Sequence, residues 1–194
     1  MLLNTPQMHQ KNRLTIRLFL ATLLISWCAG CFAMSASPGS DNSKYDFFHT
    51  FSGSIPAELE LLKKQNKAGL VLFFSTQRCH FCQRMKETVF NQASVQQYFR
   101  QRFQLIDIDI ESKQSVTDLQ HIQISYIGLA KNHHIRLTPT LIFIDQQGDV
   151  VYRHVGMIAN PQEFIWLGEY VLSGQSSEQS FASFKVNKRR LDTL

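Results

Sequence analysis

The sequence predicts an α/β fold, a mixed central sheet flanked by helices on both faces. Three observations carry this expectation. Wholly apolar runs at residues 70–74 and 141–144 read as strands buried on both faces. Segments of helical and strand periodicity alternate along residues 55–144, as crossover connections require. The alternation then ends in two strand runs joined by Asp145-Gln146-Gln147-Gly148-Asp149, a turn that closes the sheet with an antiparallel pair.

Taken in order, residues 55–67 place Leu59, Leu61 and Leu62 among good helix formers and predict a helix ending near Gly69. Residues 70–74 form the first core strand. Residues 80–100 carry Met85, Val89, Phe90, Val95, Tyr98 and Phe99 at helical spacing, with a break near Asn91. Residues 103–110 alternate, with Phe103, Leu105 and Asp107 on one face and Ile106, Ile108 and Ile110 on the other. Residues 116–124 read as strand or loop, and 125–134 as helix. Thr138-Pro139-Thr140 leads into the strand at 141–144, and residues 150–155 return as its hairpin partner. Asn160 then caps a final helix with Pro161 at its first position. Phe164, Ile165, Leu167 and Val171 of that helix are expected against the sheet. Residues 174–194 lose periodicity and read as a polar, basic tail. The folded domain is expected over 47–173.

The formal net charge of +5 is concentrated at the ends. Residues 1–40 hold Lys11, Arg13 and Arg17 and no acid, and the last ten residues hold Lys185, Lys188, Arg189 and Arg190 against Asp192. The body between them is close to neutral, which gives nucleic acid no electrostatic footing. Residues 1–33 read as an export signal, with a basic start, an apolar run from Leu18 to Ala29 and small residues after it. An uncleaved membrane anchor and a lipoprotein modified at Cys31 are the alternatives. They are the only membrane contact the sequence offers. Residues 34–46, with Ser, Pro, Gly, Asp and Asn, read as a linker. A periplasmic location is expected.

Of four cysteines, Cys28 and Cys31 lie in the leader, so Cys79 and Cys82 remain in the folded part. A bridge between residues three apart closes too short a loop to act as a staple. In an oxidising compartment the pair makes better sense as chemistry. Cys79-His80-Phe81-Cys82 follows a buried strand and opens a helix. A thiolate there meets free backbone N–H groups and the positive end of the helix dipole, which lower its pKa. Cys79 is expected to attack and Cys82 to resolve the mixed disulfide, with His80 as a cation beside the thiolate. No metal or cofactor is needed. The alternatives are half of a zinc site completed from His121, His133, His134 or His154, and an inert buried pair.

The strand-Cys-x-x-Cys-helix unit, Thr138-Pro139-Thr140 before a strand, and Val155-Gly156 after the next one together resemble the thioredoxin superfamily over about residues 50–173. Arg153-His154-Val155-Gly156-Met157, Pro161-Gln162-Glu163-Phe164 and Glu169-Tyr170-Val171 resemble the exported SoxW-type thioredoxin-related proteins. The resemblance implies a cis peptide at Thr138–Pro139 beside the cysteines. It also implies a substrate groove formed by His80, Phe81, Thr138, Pro139 and Gly156. It further implies a thiol–disulfide oxidoreductase, expected to be a reductase of exported protein disulfides fed by a membrane thiol-electron transporter. A disulfide oxidase or isomerase, and a non-catalytic metal-carrier or assembly module using the same pair, are the other readings. Three positions depart from ordinary thioredoxins. Gln77-Arg78 precedes Cys79 in place of a Trp, the dipeptide is His-Phe rather than Gly-Pro, and Phe73 stands where a buried acid aids proton transfer. Water, His80 or another group would then take that proton.

Overall fold

A computed structural model describes residues 47–191. The leader, the linker, Cys28 and Cys31 lie outside the described residues, as do the last three positions. The expected α/β class holds. Four strands form one sheet in the order β2-β1-β5-β6, where β1 is Gly69–Ser75, β2 Phe103–Asp109, β5 Thr140–Asp145 and β6 Val150–Val155. β1 runs parallel to β2 and antiparallel to β5, and β5 runs antiparallel to β6.

Strand alternation divides the apolar residues into two cores, one on each face of the sheet. Leu70, Leu72, Phe74, Ile106, Ile108, Ile142 and Ile144 face α1 (Ile55–Lys64) and α4 (Tyr126–Asn132). Val71, Phe73, Leu105, Leu141 and Phe143 face α2 (His80–Thr88), α3 (Ala93–Arg102) and α5 (Pro161–Leu172). All seven residues of β1 are buried, as the continuous apolar run requires. On the second face, Phe99 of α3 stacks on Phe164 of α5 with ring centroids 4.3 Å apart. A side chain at Gly168 would strike the Tyr98 ring, so glycine there lets α5 lie close on α3.

Helix starts follow local chemistry. Ser54 caps α1 by accepting the Ala57 N–H at 3.3 Å, and Asn160 caps α5 by accepting from Gln162 and Glu163. The break near Asn91 separates α2 from α3. Residues 116–124, expected as strand or loop, lie in a short hairpin of β3 (Ser115–Thr117) and β4 (Gln123–Ser125), after which Ser125 caps α4. The free edge of β2 is covered by the chain before α1. His49 donates its N–H to Leu105 O at 2.8 Å and accepts the Leu105 N–H on Nδ1 at 3.1 Å. Burial first, then Lys67, holds His49 below the usual imidazole pKa, consistent with a neutral ring accepting on Nδ1.

Three expectations need correction. α1 ends at Lys64 rather than near Gly69, because Asn66 takes φ 54 and turns the chain toward β1. The buried face of α5 includes Trp166 and Tyr170, while Ile165 and Val171 are only partly buried. The polar tail contains α6 (Phe181–Leu191), with Phe181 and Phe184 buried against Tyr170 at centroid distances of 5.5 and 5.3 Å. Its cations are matched to α5: Lys185 and Arg189 pair with Glu163, and Lys188 pairs with Glu169. Phe181 and Phe184 are one turn apart, but the next apolar residues, Val186 and Leu191, are exposed, so no continuous apolar stripe marks the helix in sequence. The surface that completes them comes from another element.

Candidate active site

Sheet register gathers the site. Phe74 pairs with Thr140, and Thr140 with Val155, so the exit from β1, the entry to β5 and the exit from β6 share one end of the sheet. The exit from β1 carries Cys79, the entry to β5 carries Thr138 and Pro139, and the exit from β6 carries Gly156. All the residues expected at the site therefore converge there.

Cys79 is the N-cap of α2, and its Sγ accepts the Cys82 N–H at 3.1 Å. The two cysteines form a disulfide with Cα atoms 5.2 Å apart. Cys79 is partly exposed, whereas Cys82 is fully buried in the core facing α2. When the bond is reduced, the cap position leaves Cys79 Sγ among the unpaired N–H groups of the first turn. His80 is exposed at the first position of the helix, and Phe81 beside it is 58% exposed.

The peptide bond between Thr138 and Pro139 is cis, Thr138 is half-buried and Pro139 is buried. Gly156 donates its N–H to Pro139 O at 2.9 Å, which ties the β6 exit to the proline loop. Open space surrounds the position its side chain would take, and φ is +100. Backbone conformation is what demands glycine here, rather than crowding.

The histidines considered for zinc are dispersed. His133 packs on Phe74 at 6.1 Å and His154 on Phe181 at 6.0 Å, while His121 and His134 sit in turns with φ 62 and 51. Among the described residues no cluster of three or more His, Cys, Asp or Glu is arranged to hold a metal.

One feature beneath the site went unread in the sequence. Asp107 pairs in register with Phe73, on the face that α2 covers. Ser75 Oγ donates to its Oδ1 at 2.7 Å, and Lys86 Nζ donates to its Oδ2. Lys86 lies one turn beyond Cys82 on α2 and hangs 5.6 and 5.8 Å over the Phe48 and Phe73 rings. An ion pair thus stands beside the apolar Phe73. Its signal was an acid in the inward register of an otherwise apolar strand.

A family profile described as a thioredoxin-like domain matches residues 55–172. The chain belongs to the thioredoxin-like domain family. A thioredoxin-fold protein from Helicobacter pylori is similar over 78% of this chain and 99% of its own, at 18% identity and a TM-score of 0.61. A protein from Bacteroides thetaiotaomicron, described as a proposed disulphide-isomerase, matches at 27% identity and a TM-score of 0.50, covering 68% of this chain and 94% of that one. A DsbH oxidoreductase matches at 19% identity and a TM-score of 0.50, over 62% and 82%. No curated protein matches the chain closely enough to count as a relative. Fold and bonded cysteine pair together support thiol–disulfide exchange as the chemistry of this thioredoxin-like protein.

Proposed function

We propose that this thioredoxin-like protein is a reductase of protein disulfides in the periplasm. The observation that carries the reading is the contrast within the pair: Cys79 reaches solvent at a helix N-cap, while Cys82 is fully buried three residues on. The Cys79 thiolate attacks one sulfur of the partner's disulfide, forming a mixed disulfide and releasing the other partner sulfur as a thiolate. Cys82 then gives up its proton and attacks Cys79, releasing the second partner thiolate and closing the Cys79–Cys82 bond. The partner gains two electrons and the protein loses two. A membrane thiol-electron transporter would restore the dithiol.

His80, Phe81, Thr138, Pro139 and Gly156 line the end where a partner strand would dock. Thr138 offers backbone groups to such a strand, and the half-exposed Gly156 leaves room over the sulfurs. Lys86 lies one turn beyond Cys82 and pairs with Asp107 under the helix, and we assign this pair the positioning of the proton that Cys82 gives up. Periplasmic location rests on the leader at residues 1–33 and the resemblance to exported SoxW-type proteins. Among the described residues no helix is long and apolar enough to cross a membrane.

A second reading, a disulfide oxidase or isomerase, is favoured by Arg78 and His80 on either side of Cys79. Positive charge from Arg78 there would stabilise the reduced form and make the disulfide more oxidising. Against it, Cys79 Sγ accepts a single N–H, that of Cys82, among the described residues. Equilibration with a glutathione redox buffer separates the two. A reductase lies near the thioredoxin value of about −270 mV, and a potential near the DsbA value of about −120 mV would assign the chain to oxidation instead.

A further inference from the structure

The three segments that meet at the cysteine end share a composition. Residues 76–84, 134–140 and 153–160 contain no Asp or Glu, yet they carry Arg78, Arg84, Arg136 and Arg153 with His80 and His134, while His154 turns to Phe181 of α6. Arg78, Arg84 and Arg136 are exposed, and no ion pair joins them to a carboxylate among the described residues. Arg153 donates to the His133 carbonyl. Large apolar side chains stand in the same three segments: Phe81 between the cysteines, Leu137 before Thr138 at 65% exposed, and Val155 before Gly156 at 51%. Of the acids near this end, Asp109 ends β2 and Glu111 follows it, on the strand separated from β6 by β1 and β5, while Asp107 is paired with Lys86 and Asp118 is buried.

An exposed apolar cluster with an unpaired cationic fringe is complementary to one kind of partner segment. We propose that the site selects protein disulfides whose cysteine is flanked by acidic residues next to an apolar side chain. This rests on the exchange reading above and names its substrate class. In a chain whose body is near neutral, the charge at this end arises from segregation rather than from excess. Such a field steers encounter and disfavours basic segments, and it fades as salt shortens the screening length to a few ångströms.

The test uses the reduced full-length chain and two peptide disulfides that differ only in flanking residues, Glu in one and Lys in the other. Bis(2-hydroxyethyl) disulfide is the neutral reference. The expected result is second-order reduction about tenfold faster for the acidic peptide at 10 mM salt, with the ratio collapsing toward one at 0.5 M. Arg78→Glu with Arg136→Glu should invert the ratio, and Arg136→Lys should keep it. Reading the ratio cancels any change in the reactivity of Cys79 itself. Equal peptide rates at low salt, or a ratio untouched by the double variant, overturn the charge selection while the neutral disulfide is still reduced. Reduction of none of the three overturns the exchange reading and this proposal with it. Binding of the patch to phosphatidylglycerol vesicles, without discrimination between the peptides, would reassign it to a lipid surface and likewise overturn the proposal.

Discussion

The cations of α6 and those around the cysteines have different surroundings. On α6, Lys185 and Arg189 share Glu163, and Lys188 takes Glu169, while Phe181 and Phe184 anchor the helix against Tyr170. At the cysteine end, Arg78, Arg84 and Arg136 stand exposed without a carboxylate partner among the described residues, and the same segments carry the exposed Phe81, Leu137 and Val155. The first arrangement satisfies itself. The second is the surface to which we assign an acidic partner segment. Paired charge over buried rings closes off α6, whereas unpaired charge beside exposed apolar side chains leaves the cysteine end open to contact.

Several substitutions would break or sharpen this contrast. The largest effect is expected at Cys79. Cys79→Ser should abolish disulfide reduction to assay background, because a hydroxyl is not ionised at neutral pH. Thermal unfolding should show the fold retained, and residual turnover well above background would assign the attack to Cys82. Next comes the anchor of α6. Phe184→Ala should lower stability by about 2–3 kcal/mol in urea unfolding, below the usual core value because the ring is peripheral. Activity per folded molecule should not change, and a large activity loss would tie α6 to the site.

Asp107→Asn removes the acceptor for Lys86 and Ser75. If the pair positions the Cys82 proton, the pH profile of the resolving step should shift while the rate of Cys79 alkylation stays put. A matching change in both would make the role structural. The smallest effect is expected at Glu163. Burial pushes its carboxyl up, but hydrogen bonds from Lys185 and Arg189 outweigh that and hold it below the usual value. A depressed folded pKa contributes stability above the unfolded value of 4.5, and that stability is lost as pH falls through the folded pKa. Glu163→Gln should therefore flatten the decline in stability below about pH 5, by under 1 kcal/mol because the pair is partly solvated. An unchanged acid limb in urea titrations would show that the α5–α6 pairs carry no net stability.

The sequence by itself determined the fold class, the order of the main strands and helices, and the cysteine pair at a strand-to-helix junction. These are local properties. An apolar run such as residues 70–74, the Asn160-Pro161 start of α5 and the turn at 145–149 each carry their own chemistry within a few residues. Tertiary structure alone decided the rest, because it depends on surfaces supplied from far along the chain. α6 exists because Tyr170 and two glutamates of α5 receive it. Asp107 becomes an ion-pair partner because register sets it beside Phe73 and under Lys86. The cationic end exists because antiparallel pairing of β1, β5 and β6 brings three separate acid-free segments together, each unremarkable alone. Spacing records what a residue can do with its neighbours in sequence, whereas charge and apolar exposure become a site only when the sheet decides which segments share an end.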